Sequence, residues 1–223
     1  MSSLEIQIKD NILQFYKEIE TDQYHRYRSW EHSYLFFQNV RRSSQISLEI
    51  IDNATLNLAF YLASWGMYRG SSELLQKDYK VHTRIVQEIF NARYSQLWHI
   101  DFDTINVDAP EINLILQLAE RLRQIYVELL VSPTDTLVTK VILGTLGCTP
   151  AYDTYFISGV TEWNKKYKPK FPARFGINSL RGLIGFYCEH MQNFKEAQKY
   201  IAQHGVIYPV MKLADMFFWS IRQ

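Results

Sequence analysis

Cysteine is almost absent: Cys148 and Cys188 are the two in 223 residues. That excludes a four-cysteine iron–sulfur cluster, a zinc ribbon and any disulfide framework, and both thiols read as ordinary buried side chains. Nine glycines and six prolines are too few for the turns of a β-sandwich or barrel. No apolar run approaches the ~20 residues of a membrane helix. The start Met1-Ser2-Ser3-Leu4-Glu5 has neither the basic beginning nor the apolar stretch of a secretion signal. A cytoplasmic protein with no membrane partner is expected. The six histidines stand singly, with no His-x-x-x-His or His-Glu pair at ligand spacing, so neither a metal nor a cofactor is expected.

Acidic residues are missing from one stretch. Between Trp163 and Tyr187 there is none, while Lys165, Lys166, Lys168, Lys170, Arg174 and Arg181 all fall there. That segment carries +6, which leaves −5 for the rest of a chain whose net charge is +1. A basic segment on an acidic body suits a polyanion; a solvated charged loop is the plainer alternative.

What the chain does have is a folded protein's composition, 47% apolar and 21% charged, with a heavy aromatic load of 15%. Helical spacing dominates. Leu4–Glu20 sets Ile6, Ile8, Ile12, Leu13, Phe15, Tyr16 and Ile19 mostly on one face. Residues 22–40 form a second, aromatic helical stretch. Ser47 can cap a third, striped by Ile50, Ile51, Ala54, Leu58, Tyr61 and Leu62. Gly66 and Gly70 mark a break, and residues 79–98 continue helically. Pro110 opens a long helix, Thr136–Leu146 is another, Pro150 starts the next, and further helices begin near Asn178, Asn193 and Pro209. The class is all-α with about ten helices.

Thr136–Phe156 carries the most chemistry. An apolar helix ends at Gly147, Pro150-Ala151 follows, and Asp153 stands at the entrance of the next helix. There the unpaired backbone N–H groups and the positive dipole end would hold its carboxylate charged. A simple helix-capping role would use the same residue.

The order helix, Gly, then Pro150-Ala151-Tyr152-Asp153-Thr154 resembles the helix–hairpin–helix DNA glycosylase superfamily, in which a catalytic aspartate begins a helix in a similar Pro-x-x-Asp-Thr setting. The resemblance covers about twenty residues closely and the all-α character of the chain loosely. It implies one two-lobed helical unit over 1–223 with a central cleft, the lobes being 1–110 plus 178–223, and 111–177. The family's glycine-rich hairpin has no counterpart, since Leu129–Asp135 reads Leu-Leu-Val-Ser-Pro-Thr-Asp. Where lyase-competent members carry a Schiff-base lysine, this chain has Pro133 and Thr134, and Lys140 lies further along the helix. The resemblance therefore implies a monofunctional glycosylase, a monomer acting on double-stranded DNA, of the kind that orphan bacterial enzymes direct against phage DNA with modified bases.

Asp153 would then stabilise the oxocarbenium-like sugar and orient or deprotonate the attacking water. An extruded base needs aromatic faces and fixed polar groups; Trp65, Tyr68 and Arg69, with Tyr152 and Tyr155, could supply them, or could be core residues of helix connections. Lys165, Lys166, Lys168, Lys170 and Arg174 would hold phosphates, with Arg41-Arg42 before Ser43-Ser44 as a second contact. Two other classes fit the pattern. Arg93 and His99 have the Arg-x(4–6)-His spacing of all-α HEPN-type ribonucleases, without the polar residue that usually follows the arginine. A non-enzymatic helical module would use its aromatics to bind a protein partner.

Overall fold

A computed structural model describes residues 3–43 and 45–221, with side chains from Ile8 onward. Met1, Ser2, Ser44 and the side chains of Leu4, Glu5 and Ile6, which entered the sequence reading, lie outside the described set. Among the described residues there are ten α-helices, three 3₁₀ segments and no strand. The all-α class is what the structure has.

The helices are α1 (Ser3–Thr21), α2 (Arg28–Val40), α3 (Leu48–Ser64), α4 (Thr83–Ile89), α5 (Pro110–Glu128), α6 (Asp135–Thr145), α7 (Thr154–Lys166), α8 (Ile177–Glu189), α9 (Met191–Ala202) and α10 (Val210–Ser220). Helix α3 begins as its sequence dictates: the Ser47 hydroxyl accepts from the Ile50 N–H, and Ile51, Ala54, Leu58, Tyr61 and Leu62 are buried.

Helix α6 sits at the centre. Every residue from Leu137 to Thr145 is buried, so the helix is enclosed all round, with Lys140 as its one buried charge. Its last carbonyls cannot reach water, and α2 supplies their donors. Trp30 Nε1 donates to the Leu143 carbonyl (3.0 Å), Ser33 Oγ to that of Gly144 (2.9 Å) and Gln38 Nε2 to that of Thr145 (3.2 Å). Gly144 also receives the Tyr61 ring, which would come within 2.3 Å of a Cβ there. Helix α10 is the second buried helix, buried from Met211 to Phe218 and packed against α1, α7 and α9. It touches α7 backbone to backbone at Gly159, where a Cβ would stand 1.7 Å from the Phe218 carbonyl oxygen.

Four expectations need correction. Residues 22–27 are turns, because Asp22 caps its own local turn by accepting from the Tyr24 N–H. Residues 79–98 are not one helix: a 3₁₀ turn Tyr79–His82 leads into α4, and Asn91 ends the run by accepting from Arg93 N–H and opening a 3₁₀ segment, Ala92–His99. The helix expected from Pro150 starts at Thr154 instead. The Ala151 and Tyr152 N–H groups are taken by Asp215 Oδ1 (3.0 Å) and Thr139 Oγ1 (2.9 Å), which hold 150–152 out of a helix. Of the two thiols, Cys148 is buried but Cys188 is exposed.

Candidate functional site

The loop 146–153 returns alongside the helix it leaves. Thr136 Oγ1 donates to the Tyr152 carbonyl (3.0 Å), and with the Thr139–Tyr152 bond this pins the loop to the first two turns of α6. Asp153 is thereby brought beside Lys140, thirteen residues earlier in sequence. It is the N-cap of α7: one carboxylate oxygen, Oδ1, accepts from the N–H groups of Tyr155 and Phe156 (both 3.0 Å). The other, Oδ2, lies 3.2 Å from Lys140 Nζ. A carboxylate has about four lone-pair directions. Three are used, and the remaining one is on Oδ2.

These groups floor a cavity of about 170 Å³ lined by Arg26, Trp65, Met67, Arg69, Thr136, Lys140, Asp153, Thr154, Tyr155 and Trp219. An engineered apolar cavity of ~150 Å³ holds a benzene ring, so the space suits one planar ring. Trp65 is built in firmly. Its ring stacks on Tyr27 (4.9 Å, 18°), which stacks in turn on Phe15, and its Nε1 donates to Ser29 Oγ (3.1 Å). Tyr155 and Trp219 meet edge to face at 5.3 Å.

Behind the floor lies a second ion pair. Lys212 Nζ is 2.9 Å from Asp215 Oδ2, both groups being buried. The Lys140 and Lys212 ammoniums both lie over the Trp65 ring, 5.3 and 5.2 Å from its centroid. Burial lowers the Lys140 ammonium below the ordinary lysine range, and Asp153 and Asp215 pull it part of the way back. Burial raises the Asp215 carboxyl; Lys212 opposes the rise and Asp153 adds to it.

Of the residues expected from sequence, Asp153, Trp65, Arg69 and Tyr155 meet at this cavity. Tyr68 and Tyr152 are not among its lining residues. Tyr68 turns its hydroxyl to His82 Nε2 (2.7 Å), and Tyr152 is buried with its hydroxyl on Ser179 Oγ (2.8 Å). Lys165, Lys166, Lys168, Lys170 and Arg174 are exposed. Lys165, already paired with Glu162, stands about 18 Å along the α7 axis from Asp153, at 1.5 Å per residue. Arg41 and Arg42 line a separate groove with Phe90, Trp98 and His99, where Arg41 donates to the Trp98 carbonyl (2.8 Å) and meets the His99 ring. Arg93 instead donates to Gln117 (2.9 Å), so the two members of the ribonuclease-like pair have different partners.

Sequence reasoning set Lys140 aside and did not single out Arg26, Trp219, Lys212 or Asp215. A signal was present for three of them. Lys140 is the single charge between Thr136 and Tyr152, and Lys212 and Asp215 are the two charges between Ile207 and Ser220. A charge on a helix that is otherwise apolar must be paired when buried.

Comparison with protein-family models, curated proteins and solved structures finds no match. What the site can do rests on its own geometry. Among the described residues no helix is long and apolar enough to cross a membrane.

Proposed function

We propose that the chain is a monofunctional DNA glycosylase, hydrolysing the N-glycosidic bond of a nucleotide flipped out of duplex DNA, with Asp153 as the acting carboxylate. The observation that carries this reading is the placement of Asp153: fixed by two backbone N–H groups and one ammonium, at the floor of a ring-sized cavity with tryptophan walls. As the C–N bond lengthens, the sugar gains positive charge, which a fixed carboxylate stabilises without reorganising. The unoccupied direction on Oδ2 can take a proton from the attacking water. Tyr155, Trp219 and the part of Trp65 that lines the cavity offer aromatic surface for the extruded base. The exposed basic stretch at and beyond the end of α7 would hold the DNA further from the reacting sugar.

Incubation with natural and modified DNAs, followed by mass spectrometry for free bases, tests the proposal. Asp153→Asn keeps an equally good helix cap and should lower base release by roughly 10²–10⁴, the usual contribution of a positioned acid–base group. No base released from any DNA, or undiminished release by the variant, would overturn the reading.

The lowered Lys140 ammonium inside the same cavity favours a second reading, a bifunctional enzyme. An uncharged Lys140 amine could condense with the C1′ aldehyde of the ring-opened abasic sugar, forming a C=N bond as the aldehyde oxygen leaves as water. Borohydride reduction during turnover would trap a covalent protein–DNA adduct in that case and none for a monofunctional enzyme.

A further inference from the structure

Asp153 is the one acidic residue lining the cavity, against three cations: Arg26, Arg69 and Lys140. Lys140 is matched to Asp153 at the floor. The two arginines are not matched. Both are exposed at the rim, and neither guanidinium makes an ion pair among the described residues. The lining therefore carries two positive charges in excess of what the protein itself compensates.

Both arginines are held in position. Arg69 folds back over Gly66, whose missing side chain makes the room: a Cβ there would lie 2.8 Å from Arg69 Nε, and Gly66 has φ +78°. The Arg26 guanidinium lies 5.4 Å from the Tyr27 ring centroid, and Tyr27 is the ring stacked on Trp65. Ser29 Oγ ties the same parts together, donating to the Arg26 carbonyl (2.7 Å) while accepting from Trp65 Nε1 (3.1 Å). The Arg26 backbone is thus fixed relative to the cavity's aromatic wall.

We propose that Arg26 and Arg69 form a phosphate clamp, so that the cavity takes a nucleotide unit that carries its phosphate and not a bare nucleoside or base. A guanidinium offers planar, paired N–H donors to phosphate oxygens, and the two exposed arginines of this lining supply one such fork for each phosphate that flanks a nucleotide in a strand. The proposal rests on the glycosylase reading for its choice of source, the phosphodiester of a DNA strand. The phosphate of a free nucleotide has the same chemistry, and the experiment separates the two.

The probes are a fluorescein-labelled duplex carrying a stable abasic-site analogue, the four deoxynucleoside 5′-monophosphates, and the matching deoxynucleosides. Binding is read by anisotropy for DNA and by tryptophan fluorescence for the small ligands, over a series of salt concentrations. Arg26 and Arg69 are exposed, so Arg26→Gln/Arg69→Gln should fold like the wild type. Two lost phosphate contacts should lower the slope of log K against log salt by about 1.8 for duplex DNA and weaken binding at least tenfold, while base release by the wild type tests the glycosylase reading separately. Monophosphate binding that is lost in the double arginine variant, with no DNA binding, would keep phosphate recognition by these arginines and refute the DNA glycosylase. An unchanged salt slope in the double variant, or nucleosides binding as tightly as their monophosphates, would refute the clamp and leave the glycosylase untouched. Failure of every probe to bind would also refute it.

Discussion

His82 should make the protein lose stability in mild acid by an amount that can be worked out. Its ring is fully buried, with Nε2 2.7 Å from the Tyr68 hydroxyl and Nδ1 2.8 Å from that of Tyr126. A neutral imidazole fits this pair by donating from one nitrogen and accepting at the other. A second proton would turn both nitrogens into donors and place a charge in an apolar site, and burial pushes the imidazole down to about 3. In the unfolded chain the ring titrates at its ordinary value of about 6.5. The unfolded state therefore takes up the proton first, and stability falls as pH drops from about 6.5 towards 3. Between pH 8 and pH 5 this amounts to about 2 kcal/mol, or roughly 4–8 °C in Tm for a chain of this size. Carboxylates contribute in the same range, so the measurement is a difference. Urea denaturation at both pH values is compared between the wild type and His82→Gln, whose amide can still donate to one tyrosine and accept from the other. The wild type should lose about 2 kcal/mol more than the variant over that interval. Equal losses would show that His82 is protonated in the folded protein and that the Tyr68–His82–Tyr126 reading is wrong.

The second ion pair and the α7–α10 contact give further tests. Asp215→Ala would leave the buried Lys212 ammonium without a counter-charge, at about 3–5 kcal/mol, and a urea titration should show Lys212→Met/Asp215→Ala recovering all but about 1–3 kcal/mol for the unpaired Ala151 N–H; a double variant as unstable as the single one would contradict this. Gly159→Ala drives a Cβ into the Phe218 carbonyl and should cost about 3 kcal/mol. Gly185→Ala, which meets nothing within 4 Å in the middle of α8, should instead gain up to about 1 kcal/mol, so Tm should rank Gly185→Ala above wild type and Gly159→Ala well below.

The helices were legible where side chains alone decide them. Ser47, Pro110 and the apolar stripe of α3 mark ends and faces that the folded chain keeps. They were illegible where distant groups decide. Nothing local to Pro150 says that Thr139 and Asp215, one on α6 and one on α10, will take the N–H groups of residues 151 and 152 and delay α7 to Thr154. The site was legible in the same measure. Asp153 could be found because a helix cap is a local pattern. Trp65 and Arg69 could be found because Gly66 and Gly70 mark the turn on which they stand together. Arg26 could not, since its place at the cavity depends on the stacking of Tyr27 and the bridging of Ser29, contacts that no spacing in the sequence encodes.

Two Lys–Asp pairs within reach of one tryptophan ring are hard to explain by stability. Withdrawing four charges from water is expensive, and well-packed apolar side chains in such places are commonly as stable or more so. The pairs differ in what faces the cavity. Asp215 is buried away from it, with one oxygen on Lys212 and the other on the Ala151 N–H, and so fixes the loop that ends at Asp153. Asp153 spends three of its directions on Tyr155, Phe156 and Lys140 and keeps one. The inner pair thus acts as an anchor, and the outer pair presents a carboxylate whose position is over-determined while part of it faces the cavity. That asymmetry is what a group aimed at a bound ligand requires, and a helix cap alone would need neither lysine.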